Sequence, residues 1–335
     1  MLKIQTVLGP ISPGDLGITL VHEHMAVGYS GWDCDPLARP YNREKMVNLC
    51  VRALEPVKSY GVNSIIDATP LDLNRDVEIM KEVSAKIEVN VVCSTGRYTE
   101  EEGKWAYFRG RSRNKIGDLC TELFEGFMKE ISDGIGRSGI RPGVIKVATG
   151  LNSISPLEEA TLRAAAKAGR ETGIPLITHT ENGTMGSEQA SFLIGEGMNP
   201  ERIMIGHMCG NPSVEYQMNV LNKGVNISFD RFGIETFVPD KVRVSMLVGL
   251  LRGGYVGRIM MSHDFMCCVS GRGGKLPEEI GQKTANWFPT HIFQNIIPAL
   301  KKAGITDDQI RTMMVDNPRR LFSGESFHSN ARPSN

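Results

Sequence analysis

Short runs of apolar, mostly β-branched residues recur along the chain, and helical patterns separate them. Eight of these runs have the length of a buried strand, and they cover residues 17–24, 63–69, 88–95, 143–149, 174–180, 202–208, 226–230 and 258–264. Residues 156–173 are typical of the segments between them, with Pro and Glu near the start and Gly at the end, as in a helix. This alternation predicts a parallel sheet, and eight βα units most simply close into a TIM (β/α)8 barrel.

The domain organisation follows from what is missing between these units. No Pro/Ser-rich linker, composition shift or low-complexity tract divides the chain. Residues 1–335 are therefore predicted to form a single barrel domain. A doubly wound open sheet is the alternative, but the nucleotide-binding fingerprint that it often carries is not found.

Charge and cysteine content narrow the class of protein. Lys plus Arg and Asp plus Glu both number 38, so no overall field favours nucleic acid or a membrane surface. No apolar run approaches the length of a transmembrane helix, and the first fifteen residues lack the apolar core of a signal peptide. Seven cysteines without a CxxC pair argue against a disulfide framework. A reduced, cytoplasmic protein is expected.

The first strand ends in "VHEH", residues 21–24, and so places polar side chains in an apolar run. Along a strand His22 and His24 share one face, while Glu23 points to the other. Two imidazoles that project together can form half of a metal site, or they can be two hydrogen-bonded core histidines. Both interpretations remain open on this stretch alone.

Polar residues also stand in or at the ends of later strands. In a βα barrel the carboxyl ends of all strands meet at one face, where active sites are built. The residues expected to converge there are His22, His24, Lys146, His179, His207 and Asp264. Strand alternation turns the neighbouring His263 away from the centre, and we expect His291 and His328 at the surface.

Lys146 interrupts "GVIKVAT", a strand predicted to be buried on both faces, where an unpaired ammonium is costly. One interpretation is a lysine whose amine reaches solvent at the barrel mouth, and a second is a Schiff-base lysine. The surrounding histidines and Asp264 favour a third. Burial lowers the pKa of a lysine, and its neutral amine can capture carbon dioxide as a carbamate that bridges two metal ions.

These motifs together resemble those of a known family. "VHEH", "VIKVATG", "ITHTENG", "IGHM" and "MSHDF" are similar in order and flanking residues to the binuclear centre of the amidohydrolase superfamily. More narrowly, they resemble the phosphotriesterase family and its phosphotriesterase-like lactonases. The resemblance runs from Thr6 to about residue 324, which is almost the whole chain.

The resemblance implies a set of metal ligands. His22, His24 and Asp264 would hold the more buried metal, and His179 and His207 the more exposed one. Lys146, modified to N6-carboxylysine, would bridge the two metals together with a hydroxide. Ligands of this kind suit two divalent ions, for which we expect Zn²⁺ and for which Co²⁺, Mn²⁺ or Fe²⁺ are alternatives. Asp264 would accept the proton and pass it towards the leaving alkoxide.

The lactonase resemblance also points to residues that contact the substrate. Tyr98 in "STGRY" and Arg231 in "FDRFG" follow strands three and seven and are expected to be catalytic or substrate-binding. The long eighth loop, residues 265–289, adds an expected apolar wall formed by Phe265, Met266 and Trp287. Phe288 is a further candidate for the same wall. A basic segment, "FRGRSRNK" at residues 108–115, is predicted to be a solvated loop, with an anion-binding role as the alternative.

The predicted function is metal-dependent hydrolysis of γ- or δ-lactones, including acyl-homoserine lactones, with weak phosphotriesterase activity. The protein is expected to be a homodimer that acts on a small lactone or ester. Hydrolysis of phosphotriesters or of phosphorylated sugar lactones on the same centre is the nearest alternative. A lysine-dependent barrel aldolase and a metal-bearing binding protein without turnover are alternatives of other classes.

Overall fold

A computed structural model describes residues 3–326 of the chain. Nine strands form one parallel sheet: β1 Ile18–Val27, β2 Val62–Asp67, β3 Asn90–Gly96, β4 Val144–Thr149, β5 Leu176–Thr180, β6 Ile203–Ile205, β7 Asn226–Phe229, β8 Ile259–Met261 and β9 Met266–Val269. Their order in the sheet is β8-β7-β6-β5-β4-β3-β2-β1-β9, so each of β1 to β8 pairs with its neighbours in sequence. All eight predicted strands are present, and the predicted TIM barrel is confirmed.

The helices are α1 Arg43–Leu54, α2 Val77–Ile87, α3 Ala106–Arg113, α4 Leu119–Asp133, α5 Pro156–Thr172, α6 Gly186–Gly195, α7 Val214–Leu221, α8 Asp240–Arg252, α9 Glu278–Lys283, α10 Ile297–Lys302, α11 Asp307–Arg311 and α12 Asn317–Ser323. Helices α1 to α8 connect consecutive strands from β1 to β8, and α9 to α12 follow β9. π-Helical segments at Ile292–Ile296 and Thr312–Asp316 precede α10 and α12. Short 3₁₀ turns lie at Pro13–Leu16, Trp32–Cys34, Glu55–Tyr60, Leu71–Leu73, Glu181–Gly183, Pro200–Arg202, Met208–Gly210 and Tyr255–Arg258.

Helix α5 shows how local sequence sets these boundaries. The Ser155 side chain accepts from the backbone N–H of Glu158, and the Glu158 side chain accepts in return from the backbone of Ser155. This capping box satisfies N–H groups that have no partner within the helix. Gly173 ends the helix with φ of 74°, a left-handed conformation that glycine adopts without strain. The helix predicted over residues 156–173 is confirmed.

The barrel closes between β8 and β1 through an interrupted strand. β8 ends at Met261, and β9 resumes at Met266 beside the end of β1. In the interval the backbone N–H of Asp264 donates to the His22 carbonyl oxygen at 3.0 Å, and the N–H of His24 donates to the Phe265 carbonyl oxygen at 2.8 Å. The eighth strand is therefore split, and the break sets Asp264 against the first strand.

The carboxylate of Glu23 holds this closure together. Its Oε1 accepts from the Ser262 hydroxyl at 2.7 Å and from the backbone N–H and Nδ1 of His263 at 3.0 and 2.9 Å. Its Oε2 accepts from the backbone N–H of Phe265 at 2.8 Å. Glu23 is 1% exposed, so water does not compete for these bonds. The acid between the two histidines therefore binds β1 to the eighth strand.

Some sequence-based expectations are wrong outside the sheet. Residues 106–113 form helix α3 rather than a loop. His291 is buried at 2% exposure, where its Nε2 lies 2.7 Å from Asp240 and its Nδ1 lies 2.9 Å from the Asn295 side chain. These partners satisfy a polar ring inside the protein. His328 lies outside the described residues.

Three further features complete the description. An antiparallel hairpin, Ile4–Thr6 with Gly9–Ile11, precedes the barrel and was not predicted. All seven cysteines are free, and the half-buried Cys268 has its Sγ 3.8 Å from that of Cys50. Within residues 3–326, no helix combines the length and apolar character needed to cross a bilayer.

Removal of the Glu23 carboxylate should weaken the closed barrel. We expect Glu23→Ala to lower the free energy of unfolding by about 3–5 kcal/mol, because it leaves several buried donors without a partner. Glu23→Gln retains one acceptor oxygen and should cost about 1–3 kcal/mol. Urea denaturation of metal-free protein measures both. Glu279→Ala, which removes an exposed partner of Lys283, is the matched control and should leave the free energy of unfolding nearly unchanged. Equal midpoints for wild type and Glu23→Ala would contradict this role.

Candidate metal centre

The six polar residues predicted to converge do meet at the carboxyl ends of the strands. They are His22, His24, Lys146, His179, His207 and Asp264, and each is at most 5% exposed. The Lys146 amine lies 2.7 Å from His22 Nε2, and Asp264 Oδ1 lies 3.1 Å from His24 Nε2. The rings of His22 and His179 each stand 4.6 Å, between centroids, from the ring of His207. The cluster is compact and buried.

Two of these residues have a backbone conformation that is rare for side chains of their kind. His207 and Asp264 have φ of 57° and 56°, in the left-handed region. Such a conformation costs about 1–3 kcal/mol and is kept where the surroundings impose it, often at functional sites. His207 lies two residues after the end of β6, and Asp264 lies in the break between β8 and β9, where the turn directs each side chain towards the cluster. The strained backbone at these two positions is therefore what brings the two side chains into the cluster.

Asp230 orients two of the histidines. Its Oδ2 accepts from His22 Nδ1 at 2.8 Å and from the Ser228 hydroxyl at 2.5 Å. Its Oδ1 accepts from His207 Nδ1 at 2.9 Å and from the His207 backbone N–H at 3.0 Å. Burial opposes ionisation of Asp230, but His207 and His22 hold its pKa well below its usual range. With the proton of each ring on Nδ1, both Nε2 lone pairs face the centre.

Sequence reasoning missed Asp230, although it singled out the adjacent Arg231. The available signal was an acid directly after the apolar strand β7, at the same face as the other polar residues. Thr69 was missed as well, and its hydroxyl lies 2.8 Å from His24 Nδ1. This contact leaves His24 Nε2 for Asp264 and the centre. Such orienting partners commonly stand behind metal-binding histidines.

Lys146 lies inside the barrel as the apolar strand predicted. It is 1% exposed, and burial lowers its pKa to about 8, although Asp264 opposes the shift. The neutral amine is therefore accessible near physiological pH, which both carbamate formation and Schiff-base chemistry require.

Asp264 and Arg231 form a buried pair at the edge of the cluster. The Arg231 Nε lies 3.1 Å from Asp264 Oδ2. Burial raises the pKa of Asp264, but His207 and hydrogen bonding to His24 outweigh it and hold the pKa well below its usual range. The Nη1 of Arg231 is buried and has no hydrogen-bond partner among the described residues. A buried donor without a partner is unfavourable in the free protein and is a ready position for a substrate oxygen.

Tyr98 reaches the same place from the loop after β3. Its hydroxyl lies 3.3 Å from His179 Nδ1, with the two rings edge to face. Burial raises the pKa of Tyr98 well above its usual value, so the hydroxyl stays protonated and can donate a hydrogen bond.

A small cavity of about 60 Å³ lies over the cluster. It is lined by His22, His24, Val27, Tyr29, Leu73, Tyr98, Lys146, His179, Arg231, Asp264 and Met266. Met266 therefore lies where the apolar wall was predicted, and Tyr29 is an addition that the sequence did not suggest. Phe265 and Trp287 lie outside this lining and contact each other, with ring centroids 5.6 Å apart.

The donor set fits divalent metal ions. Ligand atoms of His22, His24 and Asp264 lie within 4.8 Å of one another, and all three residues are buried. His22, His207 and Asp230 form a second such group, but the oxygens of Asp230 already accept four donors. We therefore interpret Asp230 as a support for the ligands. Imidazole nitrogens and carboxylate oxygens without thiolate suit Zn²⁺, Mn²⁺, Co²⁺ or Fe²⁺.

His263 and the basic segment lie outside the centre. His263 is fully buried on the other side of the strand, where Nδ1 contacts Glu23 and Nε2 accepts from the Ile292 N–H at 3.1 Å. In helix α3, Arg109 pairs with Glu100 at 2.9 Å, and Arg111 pairs with Glu122. Two arginines of the basic segment are thus already paired with carboxylates.

Comparison with known proteins identifies similar chains over nearly their whole length. The sequence model described as the phosphotriesterase family matches residues 2–322. An aryldialkylphosphatase from Saccharolobus solfataricus is 33% identical over 314 residues, which cover 93% of this chain and 97% of that protein. A phospho-furanose lactonase from Mycoplasmopsis synoviae is 29% identical over 332 residues, covering 95% and 91%.

Solved structures of similar proteins share the fold of this chain. The organophosphorus hydrolase from Deinococcus radiodurans is 40% identical, with a TM-score of 0.92 and coverage of 96% of this chain and 97% of that one. The resemblance inferred from the motifs is therefore confirmed.

The buried histidines should make stability depend on pH. Burial lowers the pKa of His22 and His207, and it lowers that of His179 to about 4. Below pH 6.5 the unfolded chain binds protons that the folded one does not, so the free energy of unfolding should fall between pH 6.5 and 4. Urea titrations of chelator-treated protein measure this. In His179→Asn the slope should be smaller by up to about 1.4 kcal/mol per pH unit. A variant slope equal to that of wild type would contradict the assignment.

Proposed function

The chain belongs to the phosphotriesterase family, and from that membership and the geometry of its site we propose that it opens lactone rings with the help of two divalent metal ions. It is a hydrolase of ester bonds. One observation carries the choice of substrate: Arg231, whose buried Nη1 has no partner among the described residues, and Tyr98, whose hydroxyl is protonated, line the same small cavity. A planar ester carbonyl fits two such donors.

In this proposal, His22, His24 and Asp264 would hold the more buried metal ion. His179 and His207 would hold the more exposed ion, and carboxylated Lys146 would bind both ions. Two ions bound there would lower the pKa of a water molecule to make it a nucleophile and would polarise the scissile carbonyl. The low pKa of Lys146 supports the carbamate, because only a neutral amine reacts with carbon dioxide.

Asp264 is the base in this proposal. Its carboxylate is ionised and lies between His24 and Arg231, at 3.1 Å from each. From there it accepts the proton of the attacking water and transfers it to the alkoxide that leaves when the ring opens. Arg231 holds the carboxylate in place through Nε and presents Nη1 to the substrate. Tyr98 donates its hydroxyl proton in a hydrogen bond to the developing oxyanion.

The shape of the cavity favours a lactone over a phosphotriester. A lactone carbonyl is planar and develops one oxyanion, whereas a phosphotriester is tetrahedral and carries three substituents that each need space. Arg231, Tyr98 and Met266 line the small cavity over the cluster, where one planar carbonyl is easier to place than three separate substituents. Phosphotriester hydrolysis is therefore expected to be present and weak.

Charge around the cavity favours a neutral substrate over a phosphorylated sugar lactone. Glu102 and Glu181 both add negative charge near the site. After burial, the charge of Glu102 is the largest cause that raises the pKa of Tyr98. The charge of Glu181 is likewise the largest cause after burial that raises the pKa of Glu102. In helix α3, Arg109 and Arg111 are paired with acids. Besides Arg231 and Lys146 in the cavity lining, a phosphate group would thus experience the negative charge of these two carboxylates nearby.

Lys146 provides the first test. Lys146→Ala should lose most of its metal and activity, because the ligand shared by both ions is gone, and short carboxylic acids should restore part of both. Metal content by mass spectrometry and lactone hydrolysis by pH indicator measure the outcome. Lys146→Ala with two ions per chain and full activity would refute the bridge. An active, metal-free wild type trapped by borohydride with its substrate would favour the aldolase alternative.

Substrate preference provides the second test. We expect kcat/KM to be higher for a γ-lactone with an acyl chain and for a neutral δ-lactone than for an aryl dialkyl phosphate. Tyr98→Phe should reduce lactone turnover by up to about 100-fold, because one donor to the oxyanion is lost. Phosphotriester turnover should fall less. Arg231→Ala should narrow the preference further by opening the cavity. A higher kcat/KM for the phosphate in wild type would instead favour a phosphotriesterase.

A further inference from the structure

Every histidine of the cluster has one ring nitrogen towards the centre and the other on a supporting group. For His22 and His207 the support is Asp230, and for His24 it is Thr69, always through Nδ1. Asp230 and Thr69 are fully buried. Three Nε2 atoms therefore face the centre, held by partners that water cannot reach.

His179 has the opposite arrangement. Its Nδ1 faces the Tyr98 hydroxyl on the cavity side at 3.3 Å, and its Nε2 lies 3.0 Å from Glu181 Oε2. The Glu181 side chain is 33% exposed, in contrast to the other supports. The ring of His179 is therefore turned over relative to the other three, and its supporting carboxylate is partly exposed to solvent.

We propose that Glu181 is the positioning residue for His179. The Glu181 carboxylate accepts a hydrogen bond from the Nε2–H of His179 and so directs the Nδ1 lone pair at the more exposed metal ion. This inference rests on the proposed function, since it takes His179 to be a ligand. Glu181 acts through the imidazole and does not line the cavity. A carboxylate in this position fixes the tautomer and orientation of a ligating ring and raises its basicity.

The local backbone is suited to this task. Glu181 begins the turn Glu181–Gly183 directly after β5, two residues beyond His179. Its carbonyl oxygen accepts from the backbone N–H and hydroxyl of Thr184 at 3.0 and 2.7 Å. These bonds hold the turn without the Glu181 side chain, so a substitution there should leave the fold intact.

The exposure of the support has a consequence for the metals. Water competes for the Glu181 carboxylate, whereas it cannot compete for Asp230. The ion held by His179 should therefore be the more weakly bound of the two, and its affinity should depend on residue 181.

Metal affinity tests this directly. The experiment compares purified full-length wild type with the variants Glu181→Ala, Glu181→Gln and Glu102→Ala. A chelator removes the metal from each protein, and each is then titrated with Co²⁺. Calorimetry and the visible absorption spectrum of the bound ion measure the affinity. Glu102→Ala is the matched control, because it removes a nearby acid that makes no contact with a histidine. Thermal unfolding of the stripped proteins verifies that each variant is folded.

The expected result is a loss of about 10–100-fold in affinity for one ion only in Glu181→Ala. Glu181→Gln, whose amide oxygen still accepts the Nε2 proton, should lose less, and Glu102→Ala should match wild type. Unchanged affinities in Glu181→Ala, equal losses in Glu181→Gln, or an equal loss in Glu102→Ala would each overturn the inference.

The same titration separates the two proposals. A wild type that binds two ions but hydrolyses no lactone refutes the proposed substrate and leaves the role of Glu181 standing. Unchanged metal affinities with full lactone turnover refute the role of Glu181 alone. A wild type that binds fewer than two ions overturns both.

Discussion

The four hydrogen bonds to the Glu23 carboxylate are the interaction on which the catalytic face depends. They join the first strand to the interrupted eighth strand and so close the barrel. Because side chains alternate along a strand, the residue that makes this closure separates the two histidines that face the centre. The same closure places Asp264 3.1 Å from His24. Fold and site are therefore constrained together: a shift of one residue in the pairing of β1 would direct Glu23 into the cluster and both histidines away from it.

A second buried carboxylate organises the cluster from below. Asp230 receives a proton from the Nδ1 of each of two rings, so a single charge sets two tautomers and two orientations. Its neutral hydroxyl partner, Ser228, and the His207 backbone satisfy the remaining capacity of the carboxylate. A buried charge with this many donors is stable, and it keeps the Nε2 lone pairs of His22 and His207 available. Protein groups alone make these hydrogen bonds, and preorganised catalysis requires such built-in positioning.

The sequence predicted the strands and the convergent polar residues because both leave a local pattern. β-Branched runs mark each buried strand, and a lysine or histidine within such a run is conspicuous. Asp230, Thr69 and Glu181 escaped prediction because their role lies in pairing with residues far along the chain or in the rotation of one ring. His291 was assigned to the surface because its buried partner, Asp240, is remote in sequence. Helix α3 was missed because Gly110 and its exposed basic residues gave no apolar stripe, and ion pairs with Glu100 and Glu122 accompany it.

The residues around the cluster differ in the part of the fold that carries them, and so in how freely they can change. His22, His24, Lys146 and His179 stand on strands whose neighbours are fully buried, so their positions cannot change without cost to the core. Tyr98, Glu181 and Arg231 follow the ends of strands, where the chain enters loops. Loops tolerate substitution better than the sheet does, because fewer buried contacts depend on them. The proposed ligands on the strands are therefore more constrained by the fold than Tyr98, which the proposed function places beside the substrate.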